Sequence, residues 1–214
     1  RTQLVKVTIP ASTQSATVTA PAAFAAVDPS RTITLISGVT QHAMGWTAQT
    51  TQTPVQISAR VMLADGSTLT ARRSSGTIAQ TDTVWVLLLE YIGAPGGPNE
   101  LIVRDRRVHA WSSGATSASY GPIGSVASTS KVVVFNAGAE NTNTKSSDYD
   151  RGDVRAYIDG TKTVQLRRGD GAGAIQSSHQ VVELTGSNWQ VQTGDAVPSP
   201  HVPAGGPEAG GTDG

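Results

Sequence analysis

The chain has 214 residues and 22.1 kDa, enough for one large β domain or two small ones, and its 16 basic residues balance 16 acidic ones. Only 15% of residues are charged and none is cysteine, which excludes disulfide stapling and thiolate metal sites and argues against the basic face that a nucleic-acid binder needs. The longest apolar run, VWVLLLEYIGA at 84–94, is too short to span a bilayer and reads as a buried strand.

In chain order, period-two alternation predicts strands at QLVKVTI (3–9), SATVTA (15–20), TITLIS (32–37), VQISARVML (55–63), STLTAR (67–72) and TVWVLLLEY (83–91). The Ala-rich stretch at 20–30 is bracketed by Pro21 and Pro29 and has room for one turn of helix at most. A second series follows: ELIVRDR (100–106), KVVVFN (131–136), DVRAYI (153–158), KTVQLR (162–167), HQVVEL (179–184) and NWQVQ (188–192). Between the series, GAPGGPN (93–99) is the punctuation of an exposed turn.

The two series match in order. Ile33-Thr34-Leu35-Ile36 meets Val132-Val133-Val134-Phe135, Asp65-Gly66 meets Asp159-Gly160, Arg72-Arg73 meets Arg167-Arg168, and VWVLLLEY meets HQVVELTG. Shared order with near-constant spacing predicts an all-β chain of two tandem duplicated antiparallel β-sandwich units, over 1–98 and 99–192, rather than two unrelated β halves. Each Asp-Gly predicts a two-residue type I′ hairpin, with Leu63 opposite Thr68 and Tyr157 opposite Lys162. The Pro/Gly-rich segment 193–214 has no apolar periodicity and is expected to be an extended C-terminal arm, ordered on neighbouring subunits. The sequence begins at Arg1 without methionine and shows no signal-peptide pattern, so processing or truncation is an expectation.

The stretch VTIPASTQSATVTAPAAFAAVDPSRTITLIS, followed by ISARVMLADGSTLTARRSSG, VWVLLLEYIG and QVVELTGSNWQVQTG, resembles a repeat of phage virion proteins and large bacterial surface proteins. The resemblance covers residues 2–192 and lies in turns and strand ends. It implies a structural or adhesive β module and supplies no catalytic residue. Two long insertions, VTQHAMGWTAQTTQTP and GAENTNTKSSDYDRGD, depart from the pattern at corresponding places, so loops 39–54 and 137–152 are expected to carry partner contacts.

Chemical motifs are sparse. His42, His109, His179 and His201 lack the spacing of a ligand pair, and no G-x-S-x-G elbow is present. Asp148, Asp150 and Asp153 share one loop; solvated turn residues are the first reading and a calcium site the alternative. Arg151-Gly152-Asp153 spells an adhesion tripeptide by coincidence in a turn, and GDGAGA at 169–174 follows a hairpin strand instead of opening a helix as a phosphate loop would.

The duplicated Arg72, Arg73, Arg167 and Arg168 are either cross-strand ion-pair partners or contacts for a partner's carboxylates or acidic sugars. Trp46, Trp111 and Tyr149 could stack on sugar rings, although aromatic content is only 5%. The expected function is a non-enzymatic virion structural protein, a capsid decoration or a tail or fibre component. It needs no cofactor, and its partners are other virion proteins and copies of itself, with no nucleic acid and no membrane insertion. The alternative is a glycan- or receptor-binding adhesion module on a phage or bacterial surface.

Overall fold

The computed structural model describes residues 1–41, 59–73, 81–141, 154–169, 171 and 173–192. They form β1 (Thr2–Ile9), β2 (Ser15–Thr19), β3 (Thr32–Gln41), β4 (Ala59–Leu63), β5 (Thr68–Arg73), β6 (Asp82–Glu90), β7 (Ile102–Trp111), β8 (Ser117–Tyr120), β9 (Val132–Asn141), β10 (Val154–Ile158), β11 (Val164–Arg168) and β12 (Ile175–Glu183). Short 3-10 turns at Pro29–Arg31 and Thr129–Lys131 precede β3 and β9, and there is no α-helix among the described residues. Among the described residues no helix is long and apolar enough to cross a membrane. The arm 193–214 and most of the two long loops lie outside the described residues.

All pairing is antiparallel. Strand β6 lies between β1 and β3, and β5 lies between β2 and β4. In the second half β12 lies between β7 and β9, and β11 between β8 and β10. A single bridge, Arg60 of β4 opposite Gly138 of β9, makes one six-stranded sheet, β2-β5-β4-β9-β12-β7, across both halves.

Alternation explains the layers. In β1, Val5, Val7 and Ile9 turn inward while Lys6 and Thr8 stay exposed. With Val84, Val86 and Leu88 of β6 they meet Val61, Leu63, Leu69 and Ala71 of β4 and β5, and Phe24 and Val27 close one end. The second core gathers Trp111, Val132, Val154, Val164, Leu166, Ile175 and Val181, with Ile123 and Val126 in the corresponding loop. A third cluster, Ile33, Leu101 and Val182 with Leu35, Leu89, Val103 and Phe135, lies between the halves. Strand β12 is therefore covered on both faces, and eight of its nine residues are buried.

Three local expectations are corrected. The hairpins are not two-residue turns: Leu63 faces Leu69 and Tyr157 faces Gln165, and the closing bonds Ala64 N to Thr68 O and Asp159 N to Thr163 O leave three-residue loops. Side-chain chemistry shapes both loops, because Asp65 Oδ1 accepts from Ser67 N and Asp159 Oδ1 from Thr161 N. Gly66 serves close approach, not positive φ: a Cβ there would strike the Val27 carbonyl oxygen. Second, NWQVQ forms no strand, since Asn188 N bonds Pro98 O and the chain turns over Gly186–Trp189. Third, Ser117–Tyr120 is a strand without an apolar signal.

Candidate functional site

The duplicated arginines divide by strand alternation. Arg73 is 1% exposed and Arg168 is 5% exposed. Arg73 Nε donates to Thr13 O and its NH2 to Pro10 O, while NH1 meets Asp82 Oδ2 at 2.6 Å. Arg168 likewise holds main-chain oxygens, donating to Ala115 O, Ser112 O, Gly171 O and Gly173 O, with its guanidinium 5.2 Å from the Trp111 ring centroid. The five-donor fork ties the loop carbonyls to the strand, and Pro10 O, Ser112 O and Gly171 O accept main-chain amides as well. These two arginines, read as either cross-strand ion-pair partners or partner contacts, are buried at inward positions of β5 and β11, and Arg73 pairs with Asp82.

Arg72 and Arg167 occupy the outward positions. Arg72 Nε meets both oxygens of Glu140 at 3.1 Å, and Arg60 NH2 meets Glu140 Oε1 at 3.1 Å. Glu140 belongs to β9 and is 2% exposed, so the first half clamps a buried carboxylate of the second. Burial lowers the pKa of Arg60 and the Glu140 charge opposes that fall. Arg60 NH2 also donates to Gln176 Oε1 at 2.9 Å.

Two further polar contacts join the halves. Gln180 accepts from Thr34 N at 2.9 Å and donates to Thr34 O at 2.6 Å. Arg106 NH2 donates to Thr32 O and Pro29 O, and desolvation brings its pKa down to about 10. At the connection, Glu100 accepts from Arg31 and from Thr185 Oγ1, which, with the Gly96 amide, hold its carboxyl below the usual range. The junction thus combines an apolar cluster with ion pairs and hydrogen bonds, while Thr34 Oγ1, Arg60 Nε and Arg106 Nε are buried without a partner among the described residues.

In the second half, Arg155 of β10 pairs in register with Arg167 of β11, and both are exposed. With Gly169 and the edge of Arg168 they line an open cleft of about 270 Å³. Neither Arg155 nor Arg167 has a hydrogen bond or ion pair among the described residues.

A serine and a histidine do come together, but inside the second core. Ser177 Oγ lies 2.7 Å from His179 Nε2 and accepts from Trp111 Nε1 at 2.9 Å. Both Ser177 and His179 are 0% exposed, and His179 Nδ1 has no partner to orient the ring. Burial, and secondly the charge of His109, brings the His179 pKa down to about 4. A nucleophile needs access to substrate and an oriented base, so this pair is core structure. His109 packs edge-on to Trp111, whose ring is interior and offers no platform for a sugar.

Trp46, Tyr149, Asp148, Asp150 and Asp153 lie outside the described residues, and no group of three metal-ligating side chains occurs among those described. Sequence reasoning missed Arg60, Glu140 and Gln180. Their one available signal was polar residues set within strand-like runs, at Arg60 in ISARVML and at Gln180 in HQVVEL. Compared with known proteins, the chain matches no family model, no curated protein and no solved structure.

Proposed function

We propose that the chain is a structural module built of two tandem duplicated β-sandwich units, serving in a virion as a capsid decoration or tail or fibre component. Its partners are other proteins of the particle and copies of itself. The observation that supports this most is the recurrence of one strand-pairing order in both halves, with matching internal ties. Arg73 and Arg168 hold the loop after the first strand of each half. Glu90 accepts from Asp28 N and Glu183 from Ser128 N, so each carboxylate caps the turn before the third strand. Glu90 lies opposite Thr32 and Glu183 opposite Val132, which places the two glutamates at one register position.

A duplicated unit whose junction is apolar at its centre and ion-paired transmits load as one body, which suits a shell or fibre component. The test is fractionation of the cells that make the chain and of the particles they release, probed with antibody to the purified chain. The reading expects the signal in assemblies that pellet as particles. Signal confined to the unassembled fraction contradicts it.

A further inference from the structure

The surface by which the first unit holds the second recurs, uncovered, on the second unit. In β4 and β5, Arg60 pairs with Arg72 and Met62 with Thr70; in β10 and β11, Arg155 pairs with Arg167 and Tyr157 with Gln165. The first set is closed over by β9, where Gly138 (φ +94°) crosses Arg60 and Glu140 enters between the guanidiniums. A Cβ at Gly138 would strike the Ala59 carbonyl oxygen, so the glycine permits the approach that brings the carboxylate in. Among the described residues the second set is open: Arg155 and Arg167 are exposed and have no partner there, and Tyr157 is 50% exposed. Like charges directly opposite on neighbouring strands repel, and in the first unit a shared carboxylate relieves this.

We infer that the Arg155–Tyr157–Arg167 edge of β10 and β11 docks the carboxylate of a further β unit whose third strand carries glycine and, two residues later, glutamate. The partner sits as the second unit sits on the first. This rests on the duplicated-unit reading proposed above. Continuity with the internal junction and charge complementarity favour this occupant. A second copy of this chain lacks the acid: at the positions of Gly138 and Glu140 its first unit has Gly38 and Thr40, with Thr40 opposite Thr83 as Glu140 is opposite Gln176. Gly38 itself is open, since a Cβ there would meet nothing within 4 Å. Of the glycine and glutamate that bring the acid between the arginines, the first unit carries the glycine and lacks the carboxylate.

The experiment supplies it. In sedimentation velocity with the full chain, Thr40→Glu should tighten chain-to-chain association at least about tenfold over wild type, weakening in high salt as an ion-pair contact does. Adding Arg155→Glu with Arg167→Glu should return the variant to wild-type behaviour. A folded T40E chain that sediments as wild type overturns the inference, as does association that survives the arginine reversals. If T40E does not fold, a peptide of residues 132–141 serves as probe for the wild-type chain by fluorescence anisotropy. Binding that needs both Glu140 of the peptide and Arg155 with Arg167 of the chain supports the inference, and its absence overturns it. Glu140→Thr in the full chain separates the two readings. If it lowers the melting temperature by about 5 °C or more the internal junction stands, and a null T40E result removes the docking edge alone; an unchanged melt removes the template as well.

Discussion

Gln180 and Thr34 exchange two hydrogen bonds across the junction: Thr34 N donates to the Gln180 side-chain oxygen at 2.9 Å, and the side-chain nitrogen donates to Thr34 O at 2.6 Å. A side-chain amide here completes the pairing of a main-chain segment that no strand covers on that side. Replacing it by Leu keeps the bulk but leaves a buried N–H and C=O without partners, at about 1–3 kcal/mol for each group. Gln180→Leu is expected to lower the urea midpoint accordingly, and Gln180→Glu to do so as well, because a carboxylate cannot donate to Thr34 O.

Glu140 is the charge on which two arginines converge. Glu140→Gln removes that charge and leaves the buried Arg60 guanidinium uncompensated, a change that costs about 3–5 kcal/mol where a buried pair is broken. Equilibrium denaturation checks this. In a double cycle, Arg60→Met combined with Glu140→Gln should recover part of the loss, since no unpaired buried charge then remains.

The Arg-Arg pairs give opposite outcomes within one dipeptide. Arg73→Lys and Arg168→Lys replace a five-donor fork with a point charge and orphan loop carbonyls, so each is expected to destabilise by about 2 kcal/mol or more. Arg167→Ala removes an exposed side chain without a partner among the described residues and is expected to change stability by no more than about 0.5 kcal/mol. Thermal melts of the three variants make the comparison.

The legible part of the fold was the part written in alternating apolar residues: β1, β3, β5 and β6 and their counterparts announce themselves. Strand β8 did not, because Ser117-Ala118-Ser119-Tyr120 offers small residues where alternation is sought. NWQVQ alternated, but the chain turns over Gly186–Trp189 beside Pro98, and Trp189 stayed 40% exposed. The arginine pairs were conspicuous as a repeat, and alternation within each strand puts Arg73 with Leu69 and Ala71, and Arg168 with Val164 and Leu166, on the inward face, against the usual exposure of arginine. Glu140 lies beyond the apolar run KVVVFN and read as loop. Nothing local distinguishes a glutamate bound for a neighbouring layer from one in water; only the packing of one half on the other does.

Acid should weaken the fold through His179. Its pKa falls from an ordinary 6.5 to about 4 in the folded chain because burial disfavours the imidazolium. The unfolded state therefore binds more protons between these values, and stability is present in full above about pH 6.5 and is lost as pH falls toward 4. The slope from this one group approaches 1.4 kcal/mol per pH unit within the window. His179→Gln should flatten that part of the stability profile, measured by denaturant midpoints from pH 7.5 to 4.

Hydrogen exchange at the Thr34 amide tests the rigid junction most directly, because that N–H is bonded to the Gln180 side chain of the other half. The account predicts exchange at Thr34 nearly as slow as at the core amides of β6, with protection lost in Gln180→Ala while the β6 core amides stay protected. Exchange at Thr34 in the wild-type chain as fast as in the exposed 10–14 turn would contradict it, since the halves would then part freely and could not act as one body.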